Sequence, residues 1–196
     1  LEATTAHFTK HGLSSPRLQA ELLIAHALNL PRLALYLQFE RELTPSELEA
    51  LRPLVRRRAS REPVQHITGT TSFSGLTLQC APAALIPRPE TELLVEHASQ
   101  LLKNLPPGLV IDVGTGTGAI PLALARKHPL HHYLGLDISP EALLLAQENA
   151  SRTSSAPPEG TKMEWKQSDL LHGFTETALL ITANLPYLTS DEIAAA

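Results

Sequence analysis

The chain has 196 residues, 43% of them hydrophobic, and a formal net charge of -4. That length and apolar content support one large or two small cores, and the acidic balance excludes a protein held to nucleic acid by an overall basic field. Cys80 is the single cysteine, which excludes a disulfide framework and points to a reducing compartment, and no apolar run approaches the roughly 20 residues of a membrane span.

The chain opens on "LEATTAHFTK", which lacks an initiator Met and the basic-then-apolar order of a signal peptide. The expectation is a soluble cytoplasmic protein with a processed or trimmed N-terminus. The first 62 residues read as helical. In "SSPRLQAELLIAHAL", Ser15 is placed as an N-cap with Pro16 at the first helical position. Leu18, Leu22, Ala25 and Leu28 then share one helical face. "TPSELEALRPLVRRRASR" opens with a capping box, Thr44 with Glu47, and carries Leu48, Leu51 and Val55 at helical spacing. Pro53 lies inside that pattern, where a kink or break is expected. The basic run Arg56 to Arg61 reads first as a solvated helix end.

The character changes at Pro63. "VQHITGTTSFSGLTLQC" is rich in Thr, Val, Ile and Phe, and reads as two short strands around a turn near Ser74-Gly75. From Leu85 helices and strands alternate: helix "ETELLVEHASQLL", strand "LVIDV", a Gly-rich turn, helix "AIPLALARKH", strand "HYLGLD", helix "PEALLLAQENA", strand "KMEWKQS" and strand "ALLITAN". That alternation specifies a parallel sheet with helices on its faces. Trp165 alternates with polar neighbours in its strand and reads as core. His128, His131 and His132 sit on a helix-to-strand turn without carboxylates, so no metal site is expected there.

Four features fall at the ends of these strands. The first is Gly114-Thr115-Gly116-Thr117-Gly118, between "VIDV" and a helix. Glycines there allow a sharp turn and close approach of a ligand to backbone N–H groups. Gly114-x-Gly116-x-x-Ala119 also satisfies a dinucleotide fingerprint, so a dinucleotide binder stays open. The second is Asp137, 25 positions after Asp112, where a nucleoside-binding sheet places an acid for ribose hydroxyls. Ser139 and Pro140 already supply the cap of the next helix. The third is Asp169 with Leu170, read either as an acceptor for an adenine amino group with an apolar wall or as a surface turn. The fourth is Asn184-Leu185-Pro186-Tyr187. Ligands of open α/β sheets bind outside the carboxyl ends of the strands, so all four converge on one rim.

In this order the features resemble class I S-adenosylmethionine-dependent methyltransferases, and the last resembles the Asn-Pro-Pro-Tyr type of motif found in enzymes that methylate planar amino groups. Upstream, "REPVQHITGTTSFSGLTLQCAPAALIPRPETELLVE" resembles the protein-(glutamine-N5) methyltransferases of peptide chain release factors, the PrmC/HemK family. "IPRPETE" (Ile86 to Glu92) is its most specific part, and "DVGTGTGAI" and "LAQENA" agree. The resemblance implies an α/β fold in three parts: a helical substrate-recognition domain over 1–62, a β-hairpin linker over 63–84, and a Rossmann-like methyltransferase domain over 85–196, C-terminally incomplete. It implies S-adenosylmethionine held by Gly114, Thr115, Gly116, Thr117, Gly118, Asp137, Asp169, Leu170 and Asn184. Its partner would be a release factor bearing the target glutamine, with no membrane and no stable nucleic acid; the basic run at Arg56 to Arg61 would then face the release factor or ribosomal RNA mimicry surfaces.

It also implies a clamp for a planar –NH2. Asn184 would accept one N–H through its side-chain oxygen, the backbone carbonyl of Leu185 the other, Tyr187 would pack on the amide, and Pro186 would stiffen the turn. Two departures accompany it. Leu185 stands where the family has Pro, and Asn-Leu-Pro-Tyr resembles the adenine-N6 dimethyltransferases of ribosomal RNA. The alternative function is therefore adenine-N6 methylation of RNA or DNA. The chain also stops just after the fourth strand, with a capping box at Thr189 and Glu192, so it is expected to be part of a longer polypeptide or to have that strand edge covered.

Overall fold

The structure is a computed structural model that describes residues 1–38, 40–152 and 154–185. It divides into two compact units, Leu1–Thr70 and Thr71–Ala196.

The first unit is helical: α1 (Glu2–Lys10), α2 (Pro16–Ala27), α3 (Ala34–Leu37), α4 (Pro45–Ala59) and α5 (Val64–Thr68). Phe8, Leu13, Ala20, Leu23, Ile24, Leu51 and Ile67 form its core. The α2 face agrees with expectation at Ala25, which is buried, and Leu28, which packs on the core, and differs in the rest. Ala20, Leu23 and Ile24 are buried while Leu18 is 43% exposed, because α2 is apolar around most of its circumference and the neighbouring helices select the stripe. Ser15 occupies the cap position in a left-handed conformation and makes no side-chain cap bond. The capping box of α4 is formed in full, Thr44 Oγ1 accepting from the Glu47 backbone and the Glu47 carboxylate from the Thr44 N–H. The helix continues through Pro53 to Ala59.

Glu21 is buried in this unit and fully committed. Its carboxylate accepts from Tyr36 Oη at 2.5 Å, Arg32 Nη1 at 3.0 Å and Arg17 Nε at 3.2 Å. The Tyr36 hydroxyl, with the two arginines, holds the carboxyl below its ordinary range against the opposing effect of burial. Removing one partner would leave a charge without compensation, so the cluster ties α3 to α2.

The second unit opens with the hairpin β1 (Thr70–Phe73) and β2 (Leu76–Gln79). Ser74 (φ 46°) and Gly75 (φ 76°) form the two-residue turn, both with the positive φ that matches the twist of hairpin strands. Val64–Thr68, β-branched and strand-like in composition, is a helical turn between Pro63 and the left-handed Gly69. Helix α6 (Glu90–Leu102) and strand β3 (Leu109–Val113) follow, then α7 (Ala119–Lys127), β4 (His132–Asp137), α8 (Pro140–Ser151), β5 (Met163–Gln167) and β6 (Leu180–Ala183). The four strands β3 to β6 form one parallel sheet in the order β5-β4-β3-β6. Alternation along β3 supplies both faces: Val110 joins a cluster with Val95 and Leu102 of α6 and Leu122 of α7, and Ile111 and Val113 join Leu134 and Leu136.

Trp165 lies across β4. A Cβ added at Gly135 would stand 2.5 Å from Trp165 Cζ3, and one at Gly118 2.8 Å from Trp165 Cη2. The indole occupies the volume that a side chain at either glycine would need, and it packs against the larger core cluster.

Cys80 follows β2 and is buried, which pushes its thiol up to about 11. Iodoacetamide at neutral pH should therefore alkylate the native protein roughly 100-fold more slowly than the unfolded chain. Mass spectrometry of quenched reactions reads this directly, and comparable rates would contradict the burial. No helix among the described residues is long and apolar enough to cross a membrane.

Candidate active site

All four sheet strands run the same way, so Val113, Asp137, Gln167 and Ala183 end on one rim. The glycine loop leaves β3 there. Gly114, Gly116 and Gly118 have φ of 69°, 54° and 75°, left-handed values that only glycine adopts without strain. Side chains are barred at two of them for a further reason: Leu185 Cδ2 lies 2.6 Å from where a Cβ on Gly114 would stand, and Trp165 closes the space beside Gly118. The Thr115 N–H bonds to Leu136 O at 2.9 Å, which anchors the loop on β4.

Asp137 meets this loop. Its Oδ2 accepts from Gly116 N–H at 2.8 Å and its Oδ1 from Ser139 N–H at 3.0 Å. Ser139 Oγ caps α8 through the Ala142 N–H at 3.1 Å. Asp137 thus shapes the loop and presents a carboxylate on the rim at once. Asp169 and Leu170 follow β5 and are exposed, with Leu170 at a positive φ of 51°. They share the rim end of the sheet with Asp137, whose carbonyl accepts from Ser168 N–H at 2.9 Å.

Asn184 lies just beyond β6. Its Nδ2 donates to Thr91 Oγ1 at 3.1 Å, across 93 positions of sequence. Residues Ile86, Pro87, Arg88 and Thr91 of the "IPRPETE" segment, the loop Gly114 to Thr117 and Asn184 enclose a cavity of about 50 Å³. Pro186 and Tyr187 lie outside the described residues, as do Thr189 and Glu192. A larger cavity of about 780 Å³ lies wholly in the helical unit, lined by Ile24, Leu28, Tyr36 and Arg41 among others, and holds no rim residue.

Three contributors carried no individual role in the sequence reading. Asn149 of "LAQENA" is fully buried: Oδ1 accepts from Gln79 N–H at 2.7 Å, and Nδ2 donates to Thr117 O at 3.0 Å and Gln79 O at 3.3 Å. One side chain so joins hairpin, glycine loop and α8. Thr91 is the second. Asp112 is the third, 1% exposed at the end of β3. Its Oδ1 accepts from Thr182 Oγ1 at 2.7 Å, and Oδ2 has no partner among the described residues. Burial, reinforced by the charge of Asp137, pushes its carboxyl up to about 7 despite the Thr182 bond.

The three histidines near the sheet's other end are each engaged locally. His128 Nε2 pairs with Ser99 Oγ at 2.8 Å, His131 Nδ1 accepts from Gly108 N–H at 3.3 Å, and His132 Nε2 lies 3.3 Å from Glu164. No group of three or more His, Cys, Asp or Glu among the described residues is placed to hold a metal ion.

The glycine loop between the first sheet strand and its helix, the acid at the next strand end and the amide side chain beyond β6 lie on one rim of a domain that matches a methyltransferase family model. The family model described as a methyltransferase domain matches residues 110–196, and that of the PrmC N-terminal domain matches 1–69. Release factor glutamine methyltransferases of Geobacter sulfurreducens and Deinococcus radiodurans are each 38% identical over all of this chain, which covers 66% and 68% of their lengths. That of Escherichia coli is 37% identical over 91% of this chain and 62% of its own. The chain belongs to the release factor glutamine methyltransferase family and spans about two thirds of the length of the curated relatives it matches.

Proposed function

We propose that the protein transfers a methyl group from S-adenosylmethionine to the side-chain amide nitrogen of a glutamine in a peptide chain release factor, in the cytoplasm where translation ends. The observation that carries this is the placement of Asn184 on the same rim as the glycine loop, held by the "IPRPETE" segment. The relatives' names support the acceptor, and the acidic net charge gives no basis for the strong phosphate attraction that an adenine-modifying reading requires. The helical unit is proposed to recognise the release factor.

The rim fits the methyl donor. The loop Gly114, Thr115, Gly116, Thr117 and Gly118 offers backbone where side chains are excluded, Asp137 offers carboxylate lone pairs to ribose hydroxyls, and Asp169 and Leu170 offer an acceptor and an apolar wall to adenine. Bound there, S-adenosylmethionine supplies a methyl group on a positively charged sulfur. The chain's work is orientation. An amide nitrogen is a weak nucleophile because its lone pair is delocalised. Asn184 Oδ1 and the Leu185 carbonyl accept its two N–H bonds and turn the lone pair toward the methyl, and proximity of this kind supplies several kcal/mol. As the new N–C bond forms the methyl–sulfur bond would break, leaving a neutral thioether, and the amide proton, acidic only then, would pass to water, so no strong base is required. Pro186 and Tyr187 would complete the clamp.

Mass spectrometry of release factor incubated with the protein and S-adenosylmethionine tests the activity: one methyl group should appear on the glutamine-bearing peptide. Calorimetry tests the cofactor. Asp137→Ala should weaken S-adenosylmethionine binding by roughly 1.5–3 kcal/mol for each charge-assisted hydrogen bond removed. Binding of NAD in its place would reject the methyltransferase site.

A further inference from the structure

Asn184 sits beyond the last ladder pair of β6 and is exposed, so nothing in the sheet fixes the rotation of its carboxamide. That rotation decides its chemistry. Oδ1 and Nδ2 are nearly equal in size, but one accepts and the other donates. An acceptor –NH2 needs the oxygen, whereas a carboxylate in the same place would be drawn to the nitrogen.

Thr91 bears on that choice. It is 9% exposed, in the first turn of α6, with Pro87 and Pro89 fixing the backbone before it and its own N–H bonded to Arg88 O at 3.0 Å. In the structure its Oγ1 takes a hydrogen from Asn184 Nδ2 at 3.1 Å, an arrangement that sets the nitrogen against the wall of the site and leaves Oδ1 for the acceptor. We propose that Thr91 is a positioning residue that holds the Asn184 carboxamide oxygen-outward and thereby sets the preference for a carboxamide over a carboxylate. This deepens the glutamine-methyltransferase reading and rests on it.

The experiment uses the full chain with Thr91→Val and Thr91→Ser, a glutamine-bearing release-factor peptide as substrate and the same peptide with glutamate as competitive inhibitor. Valine keeps the shape and removes the acceptor. Thr91→Val should lower kcat about five- to tenfold, the worth of one hydrogen bond, and tighten glutamate-peptide inhibition relative to the KM for glutamine peptide. S-adenosylmethionine affinity by calorimetry should stay within about twofold, since no bond to it changes. Thr91→Ser should restore both kcat and the discrimination. Wild-type kcat and discrimination in Thr91→Val would overturn the inference, as would a Thr91→Ser enzyme as impaired as Thr91→Val. A wild-type enzyme that methylates no glutamine peptide would remove the glutamine reading itself, and this inference with it.

Discussion

Asn184→Ala is expected to lower methyl transfer to glutamine roughly 100- to 1,000-fold, by analogy with losing one oriented hydrogen bond that acts in the transition state. Asn184 Nδ2 is held by Thr91 Oγ1, the proposed clamp uses the oxygen of the same carboxamide, and alanine removes that acceptor from the incoming –NH2. The Leu185 carbonyl remains, so one of two acceptors survives and the reaction is slowed without being forbidden. Single-turnover rates with saturating S-adenosylmethionine isolate the chemical step from binding. Retention of transfer within tenfold of wild type would mean that Asn184 is not the clamp. A parallel loss of cofactor affinity would instead assign it to the donor side of the site.

Asp112 carries the second large effect, on stability. Its carboxyl is raised from 3.8 to about 7 by burial, so the folded protein holds a proton that the unfolded chain releases between those values. Stability from this group is therefore fully present below about pH 4 and is lost as pH rises through about 7. The displacement corresponds to about 4 kcal/mol in all. Asp112→Asn keeps an acceptor for Thr182 Oγ1 and cannot ionise. The difference in unfolding free energy between variant and wild type, from urea denaturation at successive pH values, should grow in favour of Asn from about pH 4 to about pH 7 and then level off. Other carboxylates, Asp137 among them, cancel in that difference to the extent that their own environments are unchanged. A difference that does not vary with pH would show that Asp112 ionises as freely in the folded protein as in the unfolded chain.

Much of the sheet was legible because its punctuation is local. "ETELLVEHASQLL", "LVIDV" and "HYLGLD" are bounded by Pro, Gly or Asp, and their predicted limits match α6, β3 and β4 residue for residue. Places where tertiary packing overrules local pattern were not legible. Val64–Thr68 has strand-like residues yet coils because Pro63 and Gly69 close it at both ends and Ile67 fills the helical core. The buried stripe of α2 was ambiguous because several of its faces are apolar. At the rim, sequence named the glycine loop, Asp137, Asp169, Leu170 and Asn184, and the structure sets all of them at one end of the sheet. It did not give roles to Thr91 or Asn149, since a side chain whose partner lies 93 or 70 positions away leaves no periodic trace.

Gly135 and Trp165 carry a consequence of a different kind. They stand on neighbouring strands in paired register, and the indole lies over the one position in β4 that has no side chain to resist it. The two residues therefore divide a fixed volume, with the whole of it given to one partner. A larger residue at 135 fits only with a smaller one at 165, whereas 118 is held to glycine by its positive φ as well as by the indole. Exchange along this seam has to be concerted: an intermediate enlarged at one site alone is overpacked, and one reduced at 165 alone is hollow beneath the glycine loop. Positions 135 and 165 should accordingly change together or stay fixed as chains of this architecture diverge, with 118 remaining glycine.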